Sequence, residues 1–415
     1  MHRRYTISGL QAVLYYDHTI ERGKKATYTM HMATNRHRGA AVVTSIIWEG
    51  SFFSSHSFSH VNRELVLALI SCGADVRLIA RDAPAHLPQW HLAPRFEPLR
   101  RAISHTPYRP LRAAGGRVLY VRHFWPPDFT RPTLPAGSSF AVMQPWEYGY
   151  IPVAWVGPIK AGVDEIWAYS TFVRDAYVRS GIPPQRVAVI PCGVDPGLFN
   201  PGAAPAPLTT ARGFRFLFVG GAATNRKGFD ILLAAYAEEF RSTDDVCLVV
   251  KDNFYGPVTG QVEQVSRRPG SPEVLYTYQD VPPDAMPGIY TACNCYVQPY
   301  RAEGFGLPVL EAMACGLPVI TVNYGPCLDY CTPGTAYLIG ARVAGFPENR
   351  VGDFVTAGTP FWAEPDVAAL RAAMRHVYEH RDEARARGLA ASRRVLDGHT
   401  WERAAKIIMG RACIR

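Results

Sequence analysis

Several things are scarce or missing in this chain of 415 residues. No stretch approaches the roughly 18 uninterrupted apolar residues that a membrane-spanning helix needs, so none is expected. The N-terminus lacks a basic start followed by an apolar run of roughly 7–15 residues, so export by a signal peptide is not expected either. The nine cysteines are an odd number scattered among apolar residues, without a pair of Cys-x2-Cys knuckles. That pattern points to reduced core thiols in a cytosolic protein and away from a metal site. Asp-x-Asp occurs nowhere, and there is no low-complexity region or internal repeat beyond two similar halves. Charged residues make up only 19% against 48% hydrophobic, the composition of a soluble globular protein.

What is present begins with length enough for two or three domains, each with a full core. The formal charge is +9, unevenly placed: residues 1–40 hold seven Lys/Arg against Asp17 and Glu21, or +5, which leaves +4 for the rest. Such a basic leader suits anionic lipid or nucleic acid. The plainer reading, which we prefer, is a poorly ordered extension ahead of a true start at Met30 or Met32.

From residue 41 onward the pattern is strand, helix, strand. Ala41 to Ile47 reads as a first buried parallel strand bounded by Trp48-Glu49-Gly50. A helix with Val61, Leu65, Ala68, Leu69 and Cys72 on one face follows, then a strand over residues 75–80. In a βαβ unit ligands gather at the carboxyl ends of strands, so the loop from Trp48 to His60, with Gly50, His56 and His60, faces a cleft. Strands at residues 117–121 and 139–143 end in aromatic, polar clusters around Trp125 and Trp146. A further strand at 163–168, a helix capped by Ser170 with Phe172, Val173, Ala176 and Tyr177 buried, and a run from Arg186 to Asp195 close the first half. Pro, Ala and Gly then dominate a linker.

A second half starts at residues 214–219, with Gly220-Gly221-Ala222-Ala223-Thr224-Asn225-Arg226-Lys227-Gly228 as its first loop. The next helix buries Phe229, Leu232, Leu233, Tyr236 and Phe240. A glycine loop opening a helix favours an anion through backbone N–H groups and the helix dipole, and Arg226 and Lys227 add fixed charge. Strands at 245–250 and 273–276, a helix near 286–290 and a strand at 293–299 lead to Tyr300-Arg301-Ala302-Glu303-Gly304-Phe305-Gly306-Leu307-Pro308-Val309-Leu310-Glu311. Here Pro308 suits the start of a helix and Gly316 its end, which places Glu303 in the preceding loop and Glu311 in the first turns. The sheet is expected to end near Pro326, and three helical patterns fill residues 366–414.

Glu303 and Glu311 fit the Glu-x7-Glu motif, and Glu-Gly-Phe-Gly-Leu-Pro-x-x-Glu-Ala-Met-Ala-Cys-Gly resembles the form used by retaining glycosyltransferases of the family 4-like, group 1 type. The run Asp164-Glu165-Ile166-Trp167 to Arg174 and the later Val-Ile-Pro-x-Gly-Val-Asp are similar to the end of their N-terminal domain. The resemblance covers about residues 41–414. It implies an α/β fold with two Rossmann-like doubly wound domains facing a cleft (GT-B): a leader at 1–40, an acceptor domain at 41–200, a linker at 201–213, a nucleotide-sugar domain at 214–395, and a last helix at 396–415 crossing back through Trp401, Ala404, Ile407 and Ile408.

The resemblance also implies roles. Lys227 matches the lysine that holds the donor diphosphate; many relatives place an arginine where this chain has Gly221, and Arg226 is the candidate for that second charge by hypothesis and not by the match. Glu303, with Arg226 and Lys227, forms the expected catalytic set. Glu303 meets sugar hydroxyls, Glu311 meets the ribose, and Gly304, Phe305 and Gly306 offer backbone N–H groups. Gly50, Gly220, Gly221 and Leu307 complete the expected substrate contacts. Many relatives carry a histidine near the anomeric carbon where this chain reads Gln144-Pro145-Trp146-Glu147, a departure on the acceptor side. The implied reaction is transfer of a hexose-type sugar from a nucleotide-sugar donor to a glycan, lipid-linked or small-molecule acceptor, in polysaccharide biosynthesis, with retention. Without Asp-x-Asp, no metal and no cofactor are expected, and the basic loop stabilises the leaving diphosphate. The setting expected is cytoplasmic, with peripheral contact at the inner membrane face left open and no nucleic acid as partner. Three alternatives stand: a sugar-nucleotide- or glycan-binding subunit without activity, a phosphorylase of the same architecture, and, last, an NAD-dependent dehydrogenase, for which Gly-x-Gly-x-x-Gly is missing.

Overall fold

A computed structural model describes residues 6–7, 10–11, 43–82, 92–103, 117–253 and 255–413. The chain divides into two compact units, Met1–Ala40 and Ala41–Arg415. In the first, Thr6–Ile7 pairs antiparallel with Leu10–Gln11. The rest of the expected leader, with Met30 and Met32, lies outside the described residues.

The second unit holds two parallel six-stranded sheets, the α/β architecture expected from the sequence. The N-terminal sheet runs in the spatial order Val76–Ala80, Val43–Gly50, Arg117–His123, Ser139–Met143, Glu165–Ala168, Val187–Val189. Helices cover both faces, which is why Trp48, Leu78, Val118, Val121, Phe140 and Ile166 are buried and the strands read as near-continuous apolar runs. The first strand does not stop at Ile47, as expected, but continues to Gly50. Trp48 is drawn in because its ring packs on Trp167, with centroids 6.3 Å apart. Glu49 follows because its buried carboxylate accepts from Arg122 Nε at 2.6 Å and Tyr120 OH at 2.8 Å.

The C-terminal sheet runs Glu273–Tyr278, Val246–Asp252, Phe214–Gly220, Cys295–Gln298, Val319–Val322, Tyr337–Ile339. Two expectations fail here. The sheet does not end near Pro326, since Tyr337–Ile339 adds a sixth strand beside Val319–Val322. It is only three residues long, with Tyr337 and Leu338 half-buried, too short for a periodic signal. Lys251 and Asp252 belong to a strand and not to the loop after it, because Asp252 is fully buried and accepts from Ala222 N–H at 2.9 Å and Tyr276 OH at 2.7 Å. Between the sixth strand and the next helix the chain makes an arm unforeseen in the sequence. Ala341–Gly345 pairs with Phe361–Pro365, and inside that hairpin Arg350–Val351 pairs with Phe354–Val355.

Each sheet reverses its order of addition at one place: between Val43–Gly50 and Arg117–His123, and between Phe214–Gly220 and Cys295–Gln298. Crevices at the carboxyl ends of strands at such switch points are where ligands bind in open α/β sheets. Helices Val367–Glu379, Arg381–Gly398 and Trp401–Cys413 finish the chain. The last packs on helix Ser57–Ser71 of the N-terminal domain. Trp401, Ala404, Ala405 and Ile408 are buried there, and Arg411 forks onto Glu165 at 2.7 and 2.9 Å. Phe172, expected in a buried stripe, is only half-buried and meets the half-buried Tyr324 ring of the other domain. Seven cysteines are buried and Cys72 half-buried, all as free thiols; the side chain of Cys413 is outside the described residues. Among the described residues no helix is long and apolar enough to cross a membrane.

Removing the Trp401 ring leaves a void where the last helix meets the first. Trp401→Ala should cost about 3–5 kcal/mol, read as a lowered midpoint of urea unfolding.

Candidate active site

At the C-terminal switch point, strand Phe214–Gly220 hands over to a loop and a single 3-10 turn, Asn225–Lys227, before helix Phe229–Glu239. Gly228 joins turn to helix with φ +73°, and a Cβ there would overlap the Pro299 carbonyl. Only glycine combines that backbone with that approach. The consequence is a tight seam between this loop and the one after strand Cys295–Gln298. The Arg226 carbonyl accepts from Arg301 N–H at 2.7 Å and Ala302 N–H at 3.1 Å.

Across this seam the charged residues meet. Lys227 Nζ contacts Glu303 Oε1, and Arg226 Nη1 lies 3.6 Å from Glu303 Oε2 and 3.7 Å from Glu147 Oε1 of the opposite domain. Gln298 Nε2 donates to Glu303 Oε1 at 3.1 Å, and Tyr296 OH donates to Gln298 Oε1 at 2.7 Å, so the amide cannot turn over. Burial pushes the Glu303 carboxyl up, but Lys227, Arg226 and the Gly304 N–H outweigh it and hold it below the usual carboxylate range. Burial depresses the Lys227 ammonium against the pull of Glu303. Burial also works against the Arg226 charge, yet Glu147 and Glu303 raise the guanidinium above its ordinary value.

After Glu303 the chain turns through Gly304 and Gly306 into helix Leu307–Ala314. Gly306, at φ +84°, stands at the N-cap, and Tyr330 OH lies 2.9 Å from the carbonyls of both Phe305 and Gly306. Those carbonyls therefore face inward, the Phe305 ring packs on Tyr330, and Leu307 opens the helix half-buried. Glu311, on the same helix, accepts from Tyr290 OH at 2.6 Å and lies 3.8 Å from His60 Nε2. Burial pushes Glu311 up to about 7, while burial with Arg63 and Arg95 pushes His60 down to about 3. A neutral imidazole thus faces a carboxyl poised near neutrality. A cavity of about 210 Å³ is lined by Ser55, Asn253, Tyr278, Gln279 and Asp280, at the carboxyl ends of Val246–Asp252 and Glu273–Tyr278.

The N-terminal face is held by polar side chains that sequence reasoning missed. Asp82, just past strand Val76–Ala80, accepts from three consecutive N–H groups, Phe52 at 2.7 Å and Phe53 and Ser54 at 3.0 Å. Gly50 ends its strand beneath Asn62; a Cβ there would sit 2.5 Å from Asn62 Nδ2 and 2.6 Å from the His123 carbonyl. Asn62 Oδ1 accepts from Trp48 Nε1 at 2.7 Å and lies 2.6 Å from His123 Nδ1. As Oδ1 only accepts, His123 Nδ1 carries the proton, and Nε2 accepts from Tyr169 OH at 2.5 Å. Burial, then His56, lowers His123 to about 3, so this imidazole stays neutral. Ser170 both caps its helix and donates to the Gly304 carbonyl at 2.9 Å. Its role as a cap was legible; its contact with the other domain was not. His56 caps helix Ser57–Ser71 through Ser59 N–H.

The structure thus brings Arg226, Lys227 and Glu303 into direct contact, sets Gly304, Phe305, Gly306 and Leu307 on the same turn, and places Glu311 in a separate pocket with His60. Gly220 ends its strand with Lys227 Cδ and Cε within 3.9 Å of its side-chain position, and Gly221 lies under the Tyr255 ring. Gln144, in the segment that departs from the family pattern, is buried with no partner for Oε1. Among the described residues no group of three or more His, Cys, Asp or Glu is close enough to hold a metal ion.

Two parallel six-stranded sheets, each flanked by helices, make this a GT-B fold. Residues 206–344 match the family described as Glycosyl transferases group 1, and the chain carries that domain. Among curated proteins, a D-inositol 3-phosphate glycosyltransferase of Segniliparus rotundus is 30% identical over 227 residues, 51% of this chain and 47% of its own length. A GDP-mannose-dependent alpha-(1-6)-phosphatidylinositol monomannoside mannosyltransferase of Mycolicibacterium smegmatis is 26% identical over 64% of this chain and 67% of its own. The chain spans about half the length of the first of these relatives. Among solved structures, the sucrose-phosphate synthase of Thermosynechococcus elongatus matches at TM-score 0.58 and 19% identity, covering 88% of this chain and 98% of its own. The Anabaena protein HepE, in complex with UDP and glucose, matches at TM-score 0.57 and 13% identity over 89% and 99%. These likenesses show the fold.

Gly228→Ala should destabilise the protein by about 2–3 kcal/mol, from the left-handed backbone and the overlap together, as a drop in unfolding midpoint. Glu311 contributes one component of the pH dependence of stability, with Glu64 acting in the same direction and the buried His60 and His123 in the opposite one. The folded pKa of Glu311, about 7, lies above its ordinary value, so the stability it contributes is complete at low pH and is lost as pH rises from about 4.5 through about 7. Glu311→Gln should remove that component, so that in thermal melts the variant's stability relative to the wild type rises from pH 5 to pH 7.5.

Proposed function

We propose that this chain is a retaining glycosyltransferase that works without a metal, moving a hexose-type sugar from a nucleotide-sugar donor to a glycan, lipid-linked or small-molecule acceptor. The observation that carries the reading is the convergence of Arg226 and Lys227 with the Glu303–Gly306 turn at the switch point of the C-terminal sheet. Breaking the anomeric bond leaves negative charge on the departing diphosphate. Fixed cations and helix N-termini aimed at that charge stabilise it without reorganising, by several kcal/mol. In this reading the diphosphate takes Arg226 and Lys227 from Glu303, which is then released to accept from sugar hydroxyls. Glu311 receives the ribose hydroxyls, and the cavity lined by Asn253, Tyr278, Gln279 and Asp280 suits the base.

The absence of Asp-x-Asp from the sequence and the presence of two cations on one turn support a metal-independent reaction. Retention rests on the resemblance of the Glu303–Glu311 motif. Glu303 is engaged with Lys227, Arg226 and Gln298, and Glu311 with Tyr290, so the two carboxyls do not face one another as a hydrolytic pair. The acceptor domain contributes Glu147, Gln144 and the Ser51–His60 loop.

The test begins with thermal shift against UDP-glucose, GDP-mannose and ADP-glucose, since a ligand at 100 times its Kd stabilises by about 2.7 kcal/mol. The donor that binds is then offered with D-inositol 3-phosphate among the acceptors. Transfer should persist in EDTA, and Lys227→Ala should lower kcat by about 10²-fold or more. Activity that vanishes with EDTA and returns with magnesium would overturn the metal-independent step. Binding with no turnover on any acceptor would make the chain a sugar-nucleotide-binding subunit instead.

A further inference from the structure

The arm between the sixth strand and helix Val367–Glu379 is rooted on the donor side. Its returning strand places Ala363 N–H on the Arg301 carbonyl at 2.9 Å, and Glu364 Oε2 accepts from Arg301 Nε at 2.9 Å. Arg301 is the residue whose own N–H meets the Arg226 carbonyl. From this root the arm reaches the other domain. Phe354 at its tip lies edge-on to Trp125, Trp146 and Trp155, with centroids 5.7, 5.8 and 6.3 Å away, and all three belong to the N-terminal domain. Its backbone adds Ala357 N–H to the Ile151 carbonyl at 3.0 Å and Phe361 N–H to the Tyr148 carbonyl at 3.1 Å. Phe346 meets the Tyr148 ring at 5.7 Å.

Glu147 stands between two of the residues so held. Trp146 is fixed by Phe354 and by its own Nε1 donating to the Tyr150 carbonyl at 2.6 Å, and Tyr148 is fixed by Phe346 and Phe361. Glu147 Oε1 then reaches Arg226 Nη1, which closes a circuit from Arg226 through Arg301, the arm, Trp146 and Tyr148 back to Arg226. A loop carrying a buried-edge carboxylate would otherwise depend on its own domain alone for position.

We infer that the arm Gly345–Phe361 is a brace by which the C-terminal domain sets Glu147 of the N-terminal domain against the donor loop, with Phe354 as the positioning residue for sugar transfer. The inference rests on the glycosyltransferase reading for its effect on turnover, though not for the brace itself. Phe354 touches no reacting atom, so its loss should alter the acceptor-side wall and spare the nucleotide grip, whose charged residues Arg226, Lys227, Glu303 and Glu311 all belong to the other domain.

The experiment compares Phe354→Ala, Phe354→Tyr and Phe346→Ala with the wild-type chain. Amide hydrogen exchange over residues 146–152 should quicken at least tenfold in Phe354→Ala, while exchange over 295–314 stays within twofold. Whichever of UDP, GDP or ADP binds the wild type should bind the variant within twofold, and its release from the matching sugar nucleotide should slow at least tenfold, as a fall in kcat with KM little changed. Phe354→Tyr, whose hydroxyl can reach solvent, should match the wild type. Phe346→Ala removes the outer contact with Tyr148 together with the Phe346–Trp362 packing inside the arm, leaves Phe354 on the tryptophans, and should show the same changes at a third or less of their size, a readout that survives if Phe354→Ala fails to fold. Unchanged exchange over 146–152 in both alanine variants would overturn the brace, as would equal loss of nucleotide affinity and turnover. A wild type that binds none of the three nucleotides would overturn the glycosyltransferase reading and leave exchange alone to decide the brace.

Discussion

One carbonyl oxygen, that of Arg226, receives two successive N–H groups from the chain seventy-odd residues later, and the site depends on this seam. Lys227 can meet Glu303 only because the turn carrying it and the turn carrying its partner are joined main chain to main chain. Gly228 lets the seam close without a side chain in between, and Gln298 and Tyr296 fix the acidic side from within the sheet. Side-chain geometry at the centre is thus inherited from backbone geometry, which a strand switch point supplies without further machinery.

The second consequence is electrostatic. Two cations and two carboxylates, Arg226 and Lys227 with Glu147 and Glu303, share one patch in which Glu303 is buried and the other three are half-buried. Each isolated charge there would bear a desolvation cost of several kcal/mol, and each is compensated by an opposite neighbour. The opposite charges balance, so an anion entering here would have to displace a carboxylate from its cations and would not meet a bare positive hole. Glu311 belongs to a different regime: with Tyr290 as its one hydrogen-bond donor and a neutral His60 nearby, burial dominates and keeps the carboxyl near its neutral form.

How much of this could be read in advance differed by kind of signal. Gly220 to Lys227 and Glu303 to Glu311 were legible because special backbone, charge and helix punctuation coincide within a dozen residues. The buried stripe from Phe229 to Phe240 and the cap at Ser170 were legible through local periodicity and local hydrogen bonding. Strand ends were not: Trp48, Glu49, Lys251 and Asp252 look like loop residues, and what pulls them into strands is tertiary, a ring on Trp167 or a carboxylate shared with Tyr276 and Ala222. The arm was invisible for the same reason. Its strands run two to five residues, its exposed side chains alternate weakly, and Phe354 makes sense only beside Trp125, Trp146 and Trp155, about two hundred residues away. The tautomer of His123 is likewise set by Asn62, which no spacing rule connects to it.

Asp82 carries a different lesson. Three amides in a row just past the carboxyl end of a strand are a ready cradle for an anion, yet in this chain a carboxylate of the same domain already fills it. The N-terminal domain brings a carboxylate, Glu147, to the charged cluster, while the two cations of that cluster, Arg226 and Lys227, both belong to the other domain. The two halves of the cleft therefore differ in kind: one has its anion cradle closed from within, and the other holds its cations against carboxylates.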